Sequence, residues 1–278
     1  MTTEPAPELL QVAPGGRLAA IVAEVAAGVG VPARPLEMQA LLHLPRLADR
    51  DGLIPVEDCI SEIHRVVDLV PASSEWVRKS PPDPAAARSF DLLDGELAKY
   101  ILERFHYLRS FRTESVHYGL WIGGGELPYA IASTSINDVQ ALQAIVAGDD
   151  IEPGRSRVVS RVFAFPGAPR NAISGLLGYV ARRERQSSAA ALLTYVNPNL
   201  GFTGVSYRAS GWSVVGTDVC RYHYFDGQYT TDRTLVRAYG TSDEEDLGRR
   251  FGGRFQRSRM ALAPLVVYGR NLQRSKRR

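Results

Sequence analysis

Three stretches of this 278-residue chain carry side chains in an order that suits chemistry. The first reads strand, loop, helix, strand. Residues 157–165 are strongly β-forming, residues 166–170 form a proline- and glycine-bearing loop, residues 171–185 place Ile173, Leu176, Leu177 and Val180 on one helical side, and residues 191–197 are the second strand, within a run, 189–196, that is apolar on both faces. A loop that delivers backbone N–H groups to a helix N-terminus straight after a strand cradles an anion, because the unsatisfied amides and the helix dipole point the same way. Arg170 adds charge there and Asn171 opens the helix, so these two are the candidate cofactor-binding residues. An ordinary β-α-β element with a proline-capped loop fits the same residues. Neither GxxxxGK[ST] nor GxGxxG occurs, so a nucleotide-hydrolase or Rossmann assignment lacks its fingerprint. The second stretch follows directly: Asn197-Pro198-Asn199, then Gly201 and Gly204, then Tyr207-Arg208-Ala209-Ser210-Gly211-Trp212. It puts polar groups at the carboxyl end of a central strand, where open α/β sheets place ligands. The third, residues 105–112, joins aromatics, His106 and the arginines Arg109 and Arg112.

The elements that must position these residues follow from the hydrophobic pattern. Residues 1–16 hold prolines in a polar setting and are expected to be disordered. Residues 17–80 read as a helical lead-in, with apolar spacing at Leu18, Ile21, Val22 and Val25, at Met38, Leu41 and Leu42, and at Ile60, Ile63, Val66, Val67 and Val70. His43 and His64 fall in these helices and are set aside. Ser80-Pro81-Pro82-Asp83-Pro84 breaks any regular element and marks a linker. Residues 90–105 are expected as one helix with Asp91 and Asp94 in its first turns, and residues 118–122 and 127–132 as a hairpin about Gly123-Gly124-Gly125-Glu126. Residues 138–146 read as a short helix, and residues 222–227 as a strand and turn closing the sheet.

Composition bounds the function. With 45% apolar and 23% charged residues, general disorder, a fibrous repeat and a disulfide scaffold are excluded. Cys59 and Cys220 stand far apart with no Cys-x-x-Cys and no histidine pair, so no metal site is expected. No apolar run reaches membrane-spanning length and the first residues lack a basic segment, which reads as a cytoplasmic chain with no membrane partner. Residues 247–278 hold ten basic residues and no acid; removing those ten from the chain's +3 leaves −7 for the remainder. Such a basic C-terminal extension is an electrostatic footprint for DNA or RNA, or else a solvated end. Lysine stands at only three positions, Lys79, Lys99 and Lys276, an arginine bias that reflects genome composition more than selection for phosphate contacts.

The order of residues from 157 to 216 resembles the closing half of the GCN5-related acyltransferase (GNAT) fold. It resembles more closely the branch of Mom-type DNA adenine modification proteins, which has a β run carrying an arginine, a helix bearing a serine, an "S-Y-A-D" strand end and then "G-H-x-G-x-x-Y-x-A-x-x-W". Arg161, Ser174, Asn197, Gly201, Gly204, Tyr207, Ala209 and Trp212 stand at the matching positions, and the resemblance extends over residues 105–241. Asn197 stands where that branch has an aspartate and Phe202 where it has a histidine, so a proton acceptor has to come from elsewhere.

The resemblance implies a mixed α/β, GNAT-like central sheet flanked by helices over residues 89–246, and transfer of an acyl-type group from acyl-CoA or a related donor to an amino group. The exocyclic amine of DNA adenine is the leading acceptor, reached with the base out of the stack. Tyr207 would protonate the leaving sulfur or anchor the donor, and Arg161 would hold a phosphate or the substrate. Ser174 and Asn197 would orient the acceptor amine. His106, Tyr107 and Arg109 fall on the substrate side, and His117 is the substitute for the missing carboxylate. Each has a plainer reading: a satisfied core tyrosine, a strand-face arginine, helix packing, an Asx turn, structural histidines. Two other functions fit the sequence, an N-acyltransferase acting on a small-molecule or aminoacyl acceptor and a non-catalytic nucleic-acid-binding relative.

Overall fold

The structure, a computed structural model, describes residues 7–76, 86–136, 144–146, 152 and 154–273. In chain order the elements are β1 (Leu9–Gln11), α1 (Gly16–Val29), α2 (Ala33–His43), β2 (Leu53–Pro55), α3 (Val56–Val66), β3 (Arg88–Leu92), α4 (Gly95–Phe105), β4 (Val116–Ile122), β5 (Ala130–Ile136) and β6 (Ser156–Ala164). There follow α5 (Ala172–Gln186), β7 (Ala191–Val196), α6 (Val205–Ala209), β8 (Ser213–Asp218), β9 (His223–Phe225), β10 (Gln228–Thr230), α7 (Asp232–Tyr239), α8 (Glu244–Phe251), β11 (Phe255–Arg257) and β12 (Leu265–Asn271). They divide into two compact units. One comprises Met1–Ser73, Asn197–Phe202 and Val219–Pro264, the other Ser74–Val196, Thr203–Asp218 and Leu265–Arg278.

The second unit is built on a seven-stranded mixed sheet of order β3-β4-β5-β6-β7-β12-β8, flanked by helices as expected. All neighbours are antiparallel except β6 and β7, the pair joined through helix α5. The hairpin β4–β5 turns on Gly123 and Gly124, both at positive φ, which only glycine adopts without strain. The single helix expected over 90–105 is instead a strand and a helix. Residues 88–92 alternate and pair with β4, and the helix starts only after Asp94, whose Oδ1 accepts the amides of Glu96 and Leu97. Residues 265–271, expected in a basic extension, form β12 between β7 and β8, with Val267, Tyr268 and Gly269 buried. The β-branched and aromatic run decides, and the basic residues stand on either side of it. Of the helix expected over 138–146, residues 144–146 are helical and 138–143 lie outside the described residues, as does the expected linker 80–84.

The first unit joins the N-terminal helices to residues 219–264. Residues 9–11, expected to be disordered, pair with β2, because Leu10 and Val12 are apolar at alternate positions and both are buried. Residues 223–225, expected to close the central sheet, are the middle of a separate sheet of order β10-β9-β11. The Tyr224 hydroxyl donates to the Leu42 carbonyl at 2.9 Å, and His43 Nε2 accepts the Tyr229 amide at 3.1 Å. These buried bonds tie 219–264 to the lead-in helices, so the expected boundaries 17–80, 89–246 and 247–278 do not follow the observed division. Helices α7 and α8 close over Leu235, Leu247 and Phe255.

Candidate functional site

Strands β6 and β7 pair only from Ser156↔Ala191 to Val158↔Leu193. Past that point β6 continues to Ala164 and β7 to Val196 without pairing to each other, so the sheet opens at the carboxyl ends of its two parallel strands. On the other side of β6 a bulge sets Ser133 opposite Arg161 and Thr134 opposite Val159, leaving Ser160 unpaired. Thr194 Oγ1 lies 3.0 Å from the Val159 carbonyl, the first one beyond the last pair, and 3.4 Å from the Tyr207 hydroxyl. The break in the ladder is thereby satisfied by a side chain that also touches the leading catalytic candidate.

At the same end of the sheet, Ala164, the loop after β6, the first turn of α5 and one side of α6 enclose a cleft of about 330 Å³. Asn171 and Ser174 line it with Ser206, among mostly apolar neighbours. Asn171 sits in the left-handed region at φ 67° and its side chain does not cap the helix; no acid stands in the first turn. The Ala172 amide bonds to the Pro169 carbonyl, while those of Ile173 and Ser174 take no protein acceptor among the described residues. Two free amides and the positive end of the dipole thus face a cleft that the exposed Arg170 flanks, and the set fits a phosphate-bearing donor. Ser174 Oγ donates to the Asn171 carbonyl at 3.1 Å.

Tyr207 projects from α6. Its ring stacks on Tyr268 with centroids 5.7 Å apart and meets Trp212 edge-on at 5.4 Å. Burial pushes its phenol above the ordinary tyrosine value, so the group holds its proton at neutral pH and serves as a donor, not as a base. Tyr268 in turn accepts from Arg208 Nη1 at 2.7 Å. A Cβ on Gly204, at φ 70°, would stand 2.4 Å from the Tyr268 hydroxyl, so only glycine admits this contact. Tyr268, which backs the Tyr207 ring, was missed in the sequence, where it lies in the expected extension; its β-forming context was the available signal. Asn197 belongs to the other unit. There its Oδ1 accepts from the Asn199 amide at 3.0 Å and its Nδ2 donates to Tyr222 at 2.8 Å, an Asx turn that occupies both ends of the side chain.

Of the remaining candidates, His117 and Arg161 share one face of the sheet, where His117, Ser133 and Arg161 stand directly opposite one another across β4, β5 and β6. His117 Nδ1 lies 2.8 Å from Ser133 Oγ, and its ring stacks on Phe111 at 5.1 Å. Arg161 donates to Ser110 Oγ at 2.7 Å. His106 is buried, stacks on Tyr107 at 4.3 Å, and accepts the Leu108 amide at Nδ1, which leaves its ring proton on Nε2. Burial, with the nearby Arg161 charge, holds His106 well below the ordinary histidine value, and burial lowers His117 too. Both rings are neutral at pH 7, but the one acceptor nitrogen of His106 is taken by the Leu108 amide, which leaves His117 as the candidate proton acceptor. Arg109 is exposed at φ 44°. Ser110 and Ser133 were not singled out in the sequence, since strand register alone pairs Ser133 with His117 and a loop-to-strand contact 51 positions apart joins Ser110 to Arg161.

Among the described residues no cluster of three His, Cys, Asp or Glu could hold a metal, and no helix is long and apolar enough to cross a membrane. The sequence profile of the Mom protein family matches residues 89–262. No curated protein sequence matches the chain. Among solved structures, the chain is similar to the ribosomal-protein-S18-alanine N-acetyltransferase from Escherichia coli, at 12% identity and TM-score 0.38 over 69% of this chain and 97% of that one. An acetyltransferase from Bacillus subtilis in complex with CoA gives 12% and 0.37 over 67% and 100%. A putative acetyltransferase of the GNAT family from Desulfovibrio desulfuricans gives 9% and 0.40 over 67% and 100%.

Proposed function

The chain belongs to the Mom protein family, and on that premise we propose that it transfers an acyl-type group from an acyl-CoA or related donor to an amino group, the exocyclic amine of a DNA adenine in particular. The observation that carries this reading is the opening between β6 and β7, with the uncapped start of α5 on one side and a protonated Tyr207 against Thr194 on the other. The donor supplies the activated acyl group. The free amides of Ile173 and Ser174, with Arg170, hold its phosphates, and the mostly apolar cleft excludes water from its tail. Tyr207 holds the proton that a departing thiolate requires.

Asn197 lacks the basicity of a carboxylate, and its side chain is bound within its turn. Proton acceptance therefore falls to the neutral His117, on the face that Arg161 shares, since the acceptor nitrogen of His106 is held by the Leu108 amide. Arg161, fixed on Ser110, positions the acceptor's phosphate. Calorimetric titration of the full chain with coenzyme A tests the donor side. Binding is expected, with a loss of roughly tenfold in Arg170→Glu, the size of one charge-assisted contact; no binding by the folded protein overturns the assignment of acyl-CoA.

A further inference from the structure

The unit that holds the cleft carries a set of cations that acyl transfer leaves unused. Arg182 and Arg185 are exposed on α5, three residues apart and so on one side of the helix. From the end of α5 the chain passes through Ser187 and Ser188 into β7, whose first residues Ala191 and Leu192 pair with Asn271 and Arg270. The topology therefore brings the last turns of α5 to the end of β12. Arg270, half-buried, donates to the Ser210 carbonyl at 2.7 Å, and burial and the charges of Arg185 and Arg182 act together to lower its proton affinity. The Arg182 guanidinium lies along the bare helix, 3.9 Å from where a Cβ of Gly178 would stand.

No carboxylate pairs with Arg182, Arg185 or Arg270 among the described residues. Four arginines of the C-terminal basic run are matched instead: Arg249 and Arg250 pair with Asp246, Arg254 with Asp226, and Arg257 with Glu244. Three converging like charges repel one another, and an anion placed among them relieves that repulsion. Arg274, Lys276, Arg277 and Arg278 follow β12 directly in the sequence.

We propose that Arg182, Arg185 and Arg270 form a contact for the phosphate backbone of duplex DNA. The site rests on the reading of the chain as a DNA-modifying transferase and adds to it the place where the polymer is held. Along α5 the two helical arginines stand about 12 to 17 Å from Ser174 in the cleft, at 1.5 Å per residue. That span is about four or five base-pair steps, so the duplex would be gripped beside the base delivered to the cleft and not at it. Contacts of this kind hold phosphates and read no sequence.

Fluorescence anisotropy of the full chain with a labelled duplex, repeated over a salt series, tests the contact. The slope of log affinity against log salt is expected to flatten by about 0.9 for each arginine lost, hence by about 2.7 in the triple variant Arg182→Gln/Arg185→Gln/Arg270→Gln, equally on duplexes of unrelated sequence. Arg182→Gln/Arg185→Gln touches only exposed side chains and should flatten it by about 1.8, which keeps the test decisive if loss of the Arg270 bond to Ser210 unfolds the triple variant. Lysine at both helical positions should restore the slope. An unchanged slope in the folded double variant overturns the proposal, and so does an equal flattening on removing Arg233 and Arg237 from α7. Loss of binding to phosphatidylserine vesicles with DNA binding intact also overturns it. Binding is read without turnover, so the two readings fail separately. A flattened slope in a protein that modifies no nucleoside leaves the contact standing and sinks the transfer, whereas wild-type modification and an unchanged slope in the variants sink the contact.

Discussion

At the scale of single residues, the account turns on which groups hold protons. Tyr207 is protonated at neutral pH because burial disfavours its phenolate, so a rate that depends on its proton persists as pH rises and falls only above the ordinary tyrosine value of about 10. A pH–rate profile of the wild type whose alkaline limb sets in well below that value would remove Tyr207 from the donor role. The histidines make opposite contributions to stability. His106 and His117 are lowered by burial, so the unfolded chain takes up their protons first; the stability they confer is full above about 6.5 and is lost as pH falls toward their folded values. Burial also works to lower His223, but Asp232 at 2.8 Å and Glu244 at 3.1 Å outweigh it and raise it, so its contribution is full below about 6.5 and is lost as pH rises through the folded value. Urea midpoints across this range should show His106→Gln losing less than the wild type on acidification, and His223→Gln losing less on the way to alkaline pH. Parallel profiles would contradict these assignments.

At the scale of elements, one glycine fixes the approach of two others. Gly204 at positive φ lets the Tyr268 hydroxyl of β12 come against the start of α6, and Tyr268 in turn backs the ring of Tyr207. Gly204→Ala combines a left-handed alanine with a displaced Tyr268 and is expected to cost about 1–3 kcal/mol, read as a lowered urea midpoint. An unchanged midpoint would mean that the β12 contact is dispensable. Elements that depend on local pattern were legible in the sequence: β6, α5 and β7, and the glycine hairpin, whereas the start of α4 at its Asp94 cap was read five residues too early. Residues 88–92 were not legible, because five residues before a strong helical pattern read as its continuation, and only pairing with β4 makes them a strand. The candidate site was legible where its residues are neighbours in sequence, as Asn171 and Ser174 are. It was hidden where partners meet across strands, as with Ser133 and His117, or across sixty positions, as with Tyr207 and Tyr268.

For the whole molecule, the two units interleave along the chain. Residues 219–264 leave the sheet after β8 and fold with the N-terminal helices, and the chain then returns as β12 to complete the sheet. No local signal states this, since the seven residues of β12 would pair as readily with any apolar strand, and Tyr222, Tyr224 and His43 declare their association only when folded together. Among the described residues of the basic C-terminal run, Arg249, Arg250, Arg254 and Arg257 are matched to carboxylates in one unit, whereas Arg270 in the other bonds the Ser210 carbonyl. The central claim is that this chain places an acyl-type group on a DNA base amine at the opening between β6 and β7, with Tyr207 as the proton donor. It is tested most directly by mass spectrometry of nucleosides digested from the DNA of cells that express the wild type or Tyr207→Phe, with soluble, folded protein verified in both. The account predicts a new adenine-derived mass in the wild-type sample that is absent or strongly reduced in the variant. No new nucleoside in the wild-type sample, or an equal amount in both, would contradict it.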